Sequence, residues 1–129
     1  MDQQAFKVLY AEDEPDIQMI ARIALSDIGG MELCICNNGR EAIDNILEFN
    51  PDMIILDVMM PVMDGPAALS EIRKIPGHAN TPAIFMTAKS QRQEVESYLA
   101  LGAIDVITKP FNPMTLASQI IEIHARSQR

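Results

Sequence analysis

Short apolar runs alternate with segments of helical periodicity five times along the chain, and this alternation restricts the fold more than any other feature. A short apolar run is typical of a buried strand, whereas apolar residues that recur every three or four positions indicate a helix packed by one face. Strands that alternate with helices form βα units around a parallel sheet. We therefore predict an α/β protein with five strands and five helices.

The boundaries of these elements follow from the apolar runs and from the Pro, Gly and Asn residues between them. Strands are predicted at 6–11, 31–36, 52–57, 82–87 and 104–108, and helices begin near Pro15, Gly39, Pro66, Gln91 and Pro113. The third strand is apolar throughout its interior, as expected of a central strand covered on both faces. The residues assigned to inward helix faces include Ile20, Ile28, Leu47, Leu99 and Ile121. The fourth helix has few apolar residues, so we expect it to be the least firmly held.

Composition fits one domain and excludes several classes of partner. The length of 129 residues suits a single domain with a core over about residues 6–125, and 48% apolar residues supply its interior. The net charge of −8 opposes direct binding to nucleic acid or to anionic membranes. Because the N-terminal residues are polar, we expect no signal sequence, and no apolar run reaches membrane-spanning length. We expect a cytoplasmic protein in which Cys34 and Cys36 are reduced.

Polar side chains stand where four of the predicted strands end. Glu12 and Asp13 follow the first strand, Asp57 ends the third, Thr87 ends the fourth, and Lys109 follows the fifth. Parallel α/β sheets bind ligands outside the carboxyl ends of their strands, so these side chains are expected to share one site. Carboxylates, a hydroxyl and an ammonium, without His or Cys, suit a hard divalent cation and a phosphoryl group.

The sequence around these residues resembles the receiver domain of two-component response regulators, from Val8 to about Ile123. The similar motifs, in chain order, are Val8–Asp13, Ile55–Gly65, Phe85–Ala88 and Thr108–Phe111. This resemblance implies a single receiver domain over residues 1–129, built as a flavodoxin-like, doubly wound parallel sheet of strand order 2-1-3-4-5.

The resemblance implies that Asp57 is the phosphoacceptor. Its carboxylate takes a phosphoryl group from a phosphohistidine on a sensor histidine kinase or phosphotransfer protein. Mg²⁺, with Mn²⁺ as an alternative, is expected to bind Asp13, Asp57 and the backbone carbonyl of Met59, with Glu12 acting through a water molecule. Such a domain is not an enzyme toward other molecules, because it only phosphorylates itself from small donors and dephosphorylates itself.

The same resemblance assigns the remaining contacts of the phosphoryl group. Lys109 pairs with one phosphoryl oxygen as a point charge. Thr87 donates its hydroxyl to another oxygen, together with the backbone N–H of Ala88. The peptide bond between Lys109 and Pro110 is expected to be cis.

Two positions depart from the family pattern, and two others are expected to tune the lifetime of the phosphorylated state. Val106 stands where the family often has Tyr or Phe, and its restricted rotamers cannot reproduce the inward swing of such a ring. Glu12 replaces the commoner Asp. Met59 and Lys89 flank the expected path of the hydrolytic water, and neither can orient it as an acceptor, so a long-lived acyl phosphate is predicted.

Output is expected through the face formed by the fourth helix, the fifth strand and the fifth helix. With Val106 in place of the usual ring, we predict that the switch acts through Thr87 and a shift of the fourth helix near Tyr98. A downstream protein or a second copy of the chain would bind this face. The sequence leaves open whether the chain is a stand-alone regulator or a piece of a larger protein.

Two other functions are compatible with the same predicted sheet. A flavodoxin-like electron carrier would cradle a phosphate in its first loop, but Glu12, Asp13 and Glu14 would repel that phosphate. A phosphatase of the haloacid dehalogenase type needs an acid two residues after its nucleophilic Asp. Met59 occupies that place and cannot donate a proton.

Overall fold

The computed structural model describes residues 5–88 and 91–128, so Lys89 lies outside the described residues. The strands are β1 Lys7–Ala11, β2 Glu32–Cys36, β3 Met53–Asp57, β4 Ala83–Thr87 and β5 Asp105–Thr108. The helices are α1 Pro15–Arg22, α2 Gly39–Phe49, α3 Gly65–Ile72, α4 Arg92–Ala100 and α5 Leu116–Ser127. Helix α1 continues into π-helical turns over Ile23–Ile28. Strands and helices alternate, as the sequence predicts.

The five strands form one parallel sheet in the order β2-β1-β3-β4-β5, which confirms the predicted topology. All five residues of β3 and all five of β4 are buried. An uninterrupted apolar strand is stable only where both faces of the sheet are covered, so the pattern of 53–56 correctly indicated a central strand.

Side chains of the central strands alternate between two apolar layers. Val8 and Ile55 face the layer that holds α1 and α5, whereas Leu9 and Leu56 face the layer that holds α2 and α3. This alternation is the period of two that the pleat of a strand imposes. The two layers therefore pack against both faces of the sheet and fix the positions of its strand ends.

Five residues that were assigned to inward helix faces are exposed in the structure, namely Ile20, Ile28, Leu47, Leu99 and Ile121. Ile28 has 46% of its surface exposed, because the chain changes to π-helical winding at Ile23 and the Gly29 N–H donates to Ala24 O, five residues back. The wider turn rotates Ile28 away from the face that a period of 3.6 residues assigns to it. Leu47 is 64% exposed, since it lies about 100° around α2 from the buried Ile46.

Helix α4 has no buried residue, which confirms that it is the least embedded helix. The half-buried Tyr98 of α4 packs against the apolar layer that holds α2 and α3. The last helix begins later than predicted: the side chain of Asn112 accepts a hydrogen bond from Met114 N at 2.9 Å, but this bond caps a turn, and α5 starts at Leu116. In the parts of the chain that the structure describes, every helix is too short or too polar to cross a bilayer.

Candidate functional site

The carboxyl ends of β1, β3, β4 and β5 lie level at one edge of the sheet. Parallel pairing places Asp57 opposite Met86, and Thr87 opposite Thr108. The acidic residues after β1 therefore meet Asp57 at the end of β3. One carboxylate oxygen from each of Glu12, Asp13 and Asp57 falls within 4.8 Å of the others.

Lys109 reaches this acidic group from the end of β5. Its Nζ donates to Asp57 Oδ2 at 2.9 Å and to Glu12 Oε1 at 3.4 Å. The backbone N–H of Lys109 donates to Thr87 O at 2.8 Å and positions the residue. The peptide bond between Lys109 and Pro110 is cis, as the resemblance implied. The ammonium thus stands directly beside the predicted phosphoacceptor.

Burial makes the charges of this site costly. Glu12 is 1% exposed and Asp57 is 3% exposed. Burial raises the pKa of the Glu12 carboxyl to about 7, and the negative charge of Asp57 adds to this, although the Glu14 N–H and Lys109 partly oppose the shift. For Lys109, burial lowers the pKa, but the hydrogen bond to Asp57 and the charges of Asp57 and Glu12 outweigh it and raise the ammonium pKa. The group of acids therefore favours additional positive charge.

The residues fit a hard divalent cation. Three carboxylates face one ammonium, so three negative charges are only partly neutralised. Oxygen donors in this number are what Mg²⁺ prefers, and water or phosphoryl oxygens usually complete its shell. Met59 follows Asp57 by two residues in the loop after β3, and its side chain is exposed.

The other predicted site residues lie around the same edge. Thr87 ends β4 and is buried, and Ala88 and Lys109 line one mainly apolar cavity of ≈ 340 Å³. Val106 is half-buried and pairs in register with Phe85. The structure thus brings Glu12, Asp13, Asp57 and Lys109 together. Thr87, Ala88 and Met59 lie at or just after neighbouring strand ends, whereas Val106 lies within β5 in an apolar layer, and Lys89 falls outside the described residues.

Sequence reasoning missed two residues close to Asp57. A methyl group on Gly65 would lie 2.5 Å from the Asp57 carbonyl oxygen, so only glycine lets α3 begin so close to the phosphoacceptor backbone. The Asp64-Gly65 pair signals a turn, but not this close approach. Tyr10 is fully buried and its hydroxyl has no hydrogen-bond partner among the described residues. Burial, followed by the charges of Glu12 and Asp57, raises the pKa of this hydroxyl.

Comparison with known proteins agrees with this geometry. The sequence profile described as response regulator receiver domain matches residues 8–121. The chain belongs to the response regulator receiver domain family. As a receiver domain it resembles the solved chemotaxis protein CheY4 of Vibrio cholerae, with a TM-score of 0.86 and 31% identity over 94% of this chain and 99% of that one.

Curated relatives of this receiver domain are longer proteins. It is 33% identical over 129 residues, all of this chain and 51% of the relative, to the probable transcriptional regulator ycf27 of Porphyra purpurea. It is 36% identical over 112 residues, 86% of this chain and 49% of the relative, to the probable C4-dicarboxylate response regulator DctR of Bacillus subtilis. The chain spans about half the length of these curated relatives.

Family membership decides among the functions that the sequence left open. The chain is the receiver domain of a response regulator, a signalling module. The electron-carrier and phosphatase alternatives are therefore set aside. Phosphoryl transfer with Mg²⁺ is the general mechanism of this family.

Proposed function

We propose that Asp57 of this receiver domain accepts a phosphoryl group from a phosphohistidine and that the modified domain binds its partners differently. The observation that carries the proposal is the meeting of Glu12, Asp13 and Asp57 within 4.8 Å, with Lys109 Nζ 2.9 Å from Asp57 Oδ2. A nucleophilic carboxylate, a cation-binding set and a fixed ammonium are the parts that phosphoryl transfer requires.

The transfer exchanges one bond to phosphorus for another. An oxygen of Asp57 forms a bond to phosphorus while the bond between phosphorus and the imidazole nitrogen breaks, and its electron pair remains on that nitrogen. Attack by a carboxylate on an anionic phosphoryl group is opposed by charge, so positioning and neutralisation dominate the barrier. Lys109 would neutralise charge from one side, and the Thr87 hydroxyl and the Ala88 N–H would donate to phosphoryl oxygens from the end of β4.

Asp13, Asp57 and the Met59 carbonyl would hold Mg²⁺, with Mn²⁺ as the alternative, and Glu12 would act through water. The bound cation would supply positive charge to the transferring phosphoryl group. The buried and crowded carboxylates support this assignment, because a bound cation would relieve the repulsion among them.

The proposal is tested by intact-mass measurement after incubation with acetyl phosphate and Mg²⁺. The parent should gain one phosphate, and Asp57→Asn should gain none. Asp64→Asn is the matched control, because Asp64 is a neighbouring acid whose side chain caps α3 through Ala67 N, and Asn caps equally well. Labelling of Asp57→Asn at the parental level, or loss of labelling in Asp64→Asn alone, would contradict the assignment.

We propose that residues 1–129 act as one receiver domain, which a sensor histidine kinase or phosphotransfer protein phosphorylates. A downstream protein or a second copy of the chain would bind the face of α4, β5 and α5. The five described strands joined in one sheet support the first statement, and the weak anchoring of α4 supports the second. Phosphate transfer to this chain from a phosphorylated histidine kinase, compared with transfer to Asp57→Asn, tests the pairing, and transfer to both at the same rate would contradict it.

The lifetime of the acyl phosphate is proposed to depend on Met59 and Lys89. Met59 is exposed in the loop after Asp57, where a polar replacement could orient water. The double variant Met59→Asn with Lys89→Glu should lose phosphate about tenfold faster, which corresponds to roughly 1.4 kcal/mol of barrier. Decay is followed after removal of the donor at constant Mg²⁺. An unchanged or slower decay would show that these side chains do not gate the water.

A further inference from the structure

The C-terminal end of helix α4 is held by a hydrogen bond from the side chain of Arg73. The guanidinium of Arg73 donates through Nη2 to Gly102 O at 3.3 Å, just beyond α4. Its Nη1 donates to the carbonyls of His78 at 3.1 Å and Thr81 at 2.6 Å, which lie in the connection from α3 to β4. One side chain therefore joins the end of α4 to the base of a central strand.

Within residues 5–88 and 91–128, no comparable side-chain bond holds the N-terminal end of α4. Its N-cap residue, Gln91, makes no side-chain capping bond, and no residue of the helix is buried. Helix termini without capping partners fray easily, and elements without buried apolar surface open at low free-energy cost. Among the described residues, α4 is thus held at one end and loose at the other.

A packed path leads from Asp57 to this helix. A methyl group on Gly65 would lie 2.5 Å from Asp57 O and 3.2 Å from Phe85 Cε1, so the backbone of the phosphoacceptor and the buried ring both abut Gly65. The Phe85 ring in turn contacts the ring of Tyr98 on α4, with centroids 5.3 Å apart and planes at 58°. Three consecutive contacts therefore connect the site to the loose helix.

We infer that the Phe85–Tyr98 ring pair transmits changes at Asp57 to α4, which turns about Leu101 and Gly102 as its fulcrum. Tyr98 lies three residues, about 4.5 Å, before Leu101, whereas Arg92 lies nine residues, about 13.5 Å, before it. A displacement at Tyr98 is therefore enlarged about threefold at the start of α4. This inference rests on the proposed phosphorylation of Asp57.

Val106 explains why the coupling uses Tyr98. It pairs in register with Phe85 and packs in the same apolar layer as Tyr98. Its short, branched side chain has one strongly preferred rotamer and cannot swing as a ring does. The aromatic surface beside Phe85 is instead supplied from α4 itself, which makes the contact to the helix direct.

The test compares amide exchange of residues 92–100 with and without beryllofluoride and Mg²⁺, in the parent, Tyr98→Leu and Tyr98→Phe. Labelling of Asp57 by acetyl phosphate is measured on the same samples. The parent should change its exchange in α4 on binding the mimic. Tyr98→Leu should be labelled at the parental rate but lose this change, and Tyr98→Phe should keep it, because the ring and not the hydroxyl makes the contact.

Each other outcome overturns a stated part. An unlabelled parent overturns the proposed function and the inference together. A labelled parent whose α4 exchange stays constant, a Tyr98→Leu variant that retains the change, or a Tyr98→Phe variant that loses it overturns the inference alone.

A second measurement needs no disruptive variant. The chain has two tyrosines, so 3-fluorotyrosine labelling gives two fluorine signals, and Tyr10→Phe assigns them. The Tyr98 signal should shift when the mimic binds. A stationary Tyr98 signal in a protein that binds the mimic also overturns the inference.

Discussion

Strand β3 and helix α4 differ in how they are held. Every residue of β3 is buried between two apolar layers, and it ends at the predicted phosphoacceptor, Asp57. No residue of α4 is buried. The proposed phosphoryl transfer would thus take place on a fully buried strand, and the expected response would take place in the least buried helix.

This difference has a physical basis. Phosphoryl transfer requires groups fixed to within fractions of an ångström, which demands supporting side chains that are themselves locked by packing. A signal requires two arrangements of similar free energy, and a ligand can shift such an equilibrium only by its differential affinity. A weakly packed helix meets the second requirement at little cost. Four predictions test how far this division holds.

The largest expected effect tests the contrast directly. Ile55→Ala removes a fully buried side chain from β3 and should lower the free energy of unfolding by about 2–5 kcal/mol. Leu99→Ala, the matched change on α4, removes an exposed side chain and should cost less than about 1 kcal/mol. Urea denaturation measures both. Equal decreases in the free energy of unfolding would contradict the comparison, because α4 would then be packed as firmly as β3.

The next prediction concerns the electrostatic repulsion among the buried carboxylates at the ends of β1 and β3. The pKa of Glu12 is about 7 in the folded protein against 4.5 ordinarily, so the protonated acid stabilises the fold below pH 4.5, and this contribution is lost as the pH rises through 7. In metal-free protein at pH ~8, Glu12→Gln should therefore raise the free energy of unfolding by about 1–3 kcal/mol.

Denaturation in EDTA at pH ~8 and pH ~5 checks this. The gain should shrink at the lower pH, because parental Glu12 is then largely protonated. Added Mg²⁺ should stabilise the parent more than the variant, since the metal relieves the same repulsion. A variant that is no more stable than the parent at the higher pH would contradict the electrostatic origin of the shift.

Tyr10→Phe tests whether the buried hydroxyl of Tyr10, on the central sheet, lowers the stability of the protein. The buried hydroxyl of Tyr10 has no hydrogen-bond partner among residues 5–88 and 91–128, and an unsatisfied buried hydroxyl costs about 1–3 kcal/mol. Its removal leaves the ring packing intact and should stabilise the protein by about 1 kcal/mol. Tyr98→Phe, on the half-buried ring of α4, is the control and should be neutral. A clear loss of stability in Tyr10→Phe would mean that the hydroxyl is satisfied in solution.

The smallest expected effect lies in the loop between Asp57 and α3. Val62 is 81% exposed and has a φ of 69°, and Met63 N donates to Pro61 O at 2.7 Å around it. Positive φ is strained for a β-branched residue and much less so for Asn. Val62→Asn should stabilise the protein by less than about 1 kcal/mol, because Asn keeps part of the cost of positive φ, whereas Val62→Ala should gain less still. Thermal melting of the parent and both variants measures these differences. Equal melting temperatures for all three proteins would show that the positive φ of Val62 does not lower stability.

The sequence predicted the scaffold well because each strand and helix carries its own periodicity. The apolar run of β3 and the acids that follow β1 needed no long-range information to be recognised. The predicted inward positions of Ile28 and Leu47 were wrong for a different reason. Their exposure depends on π-helical winding after Ile23 and on how narrow the covered face of α2 is, and neither follows from local periodicity.

The sequence by itself determined the alternation of elements, the position of the polar residues at the strand ends and, through its motifs, the receiver family. Only the tertiary structure decided that Gly65 abuts the Asp57 backbone, that Phe85 contacts Tyr98, and that Arg73 fastens the end of α4. Periodicity and turn residues are local properties of a chain. Contacts between elements distant in sequence depend on the order of strands in the sheet and on the packing of its two layers, which no single segment encodes.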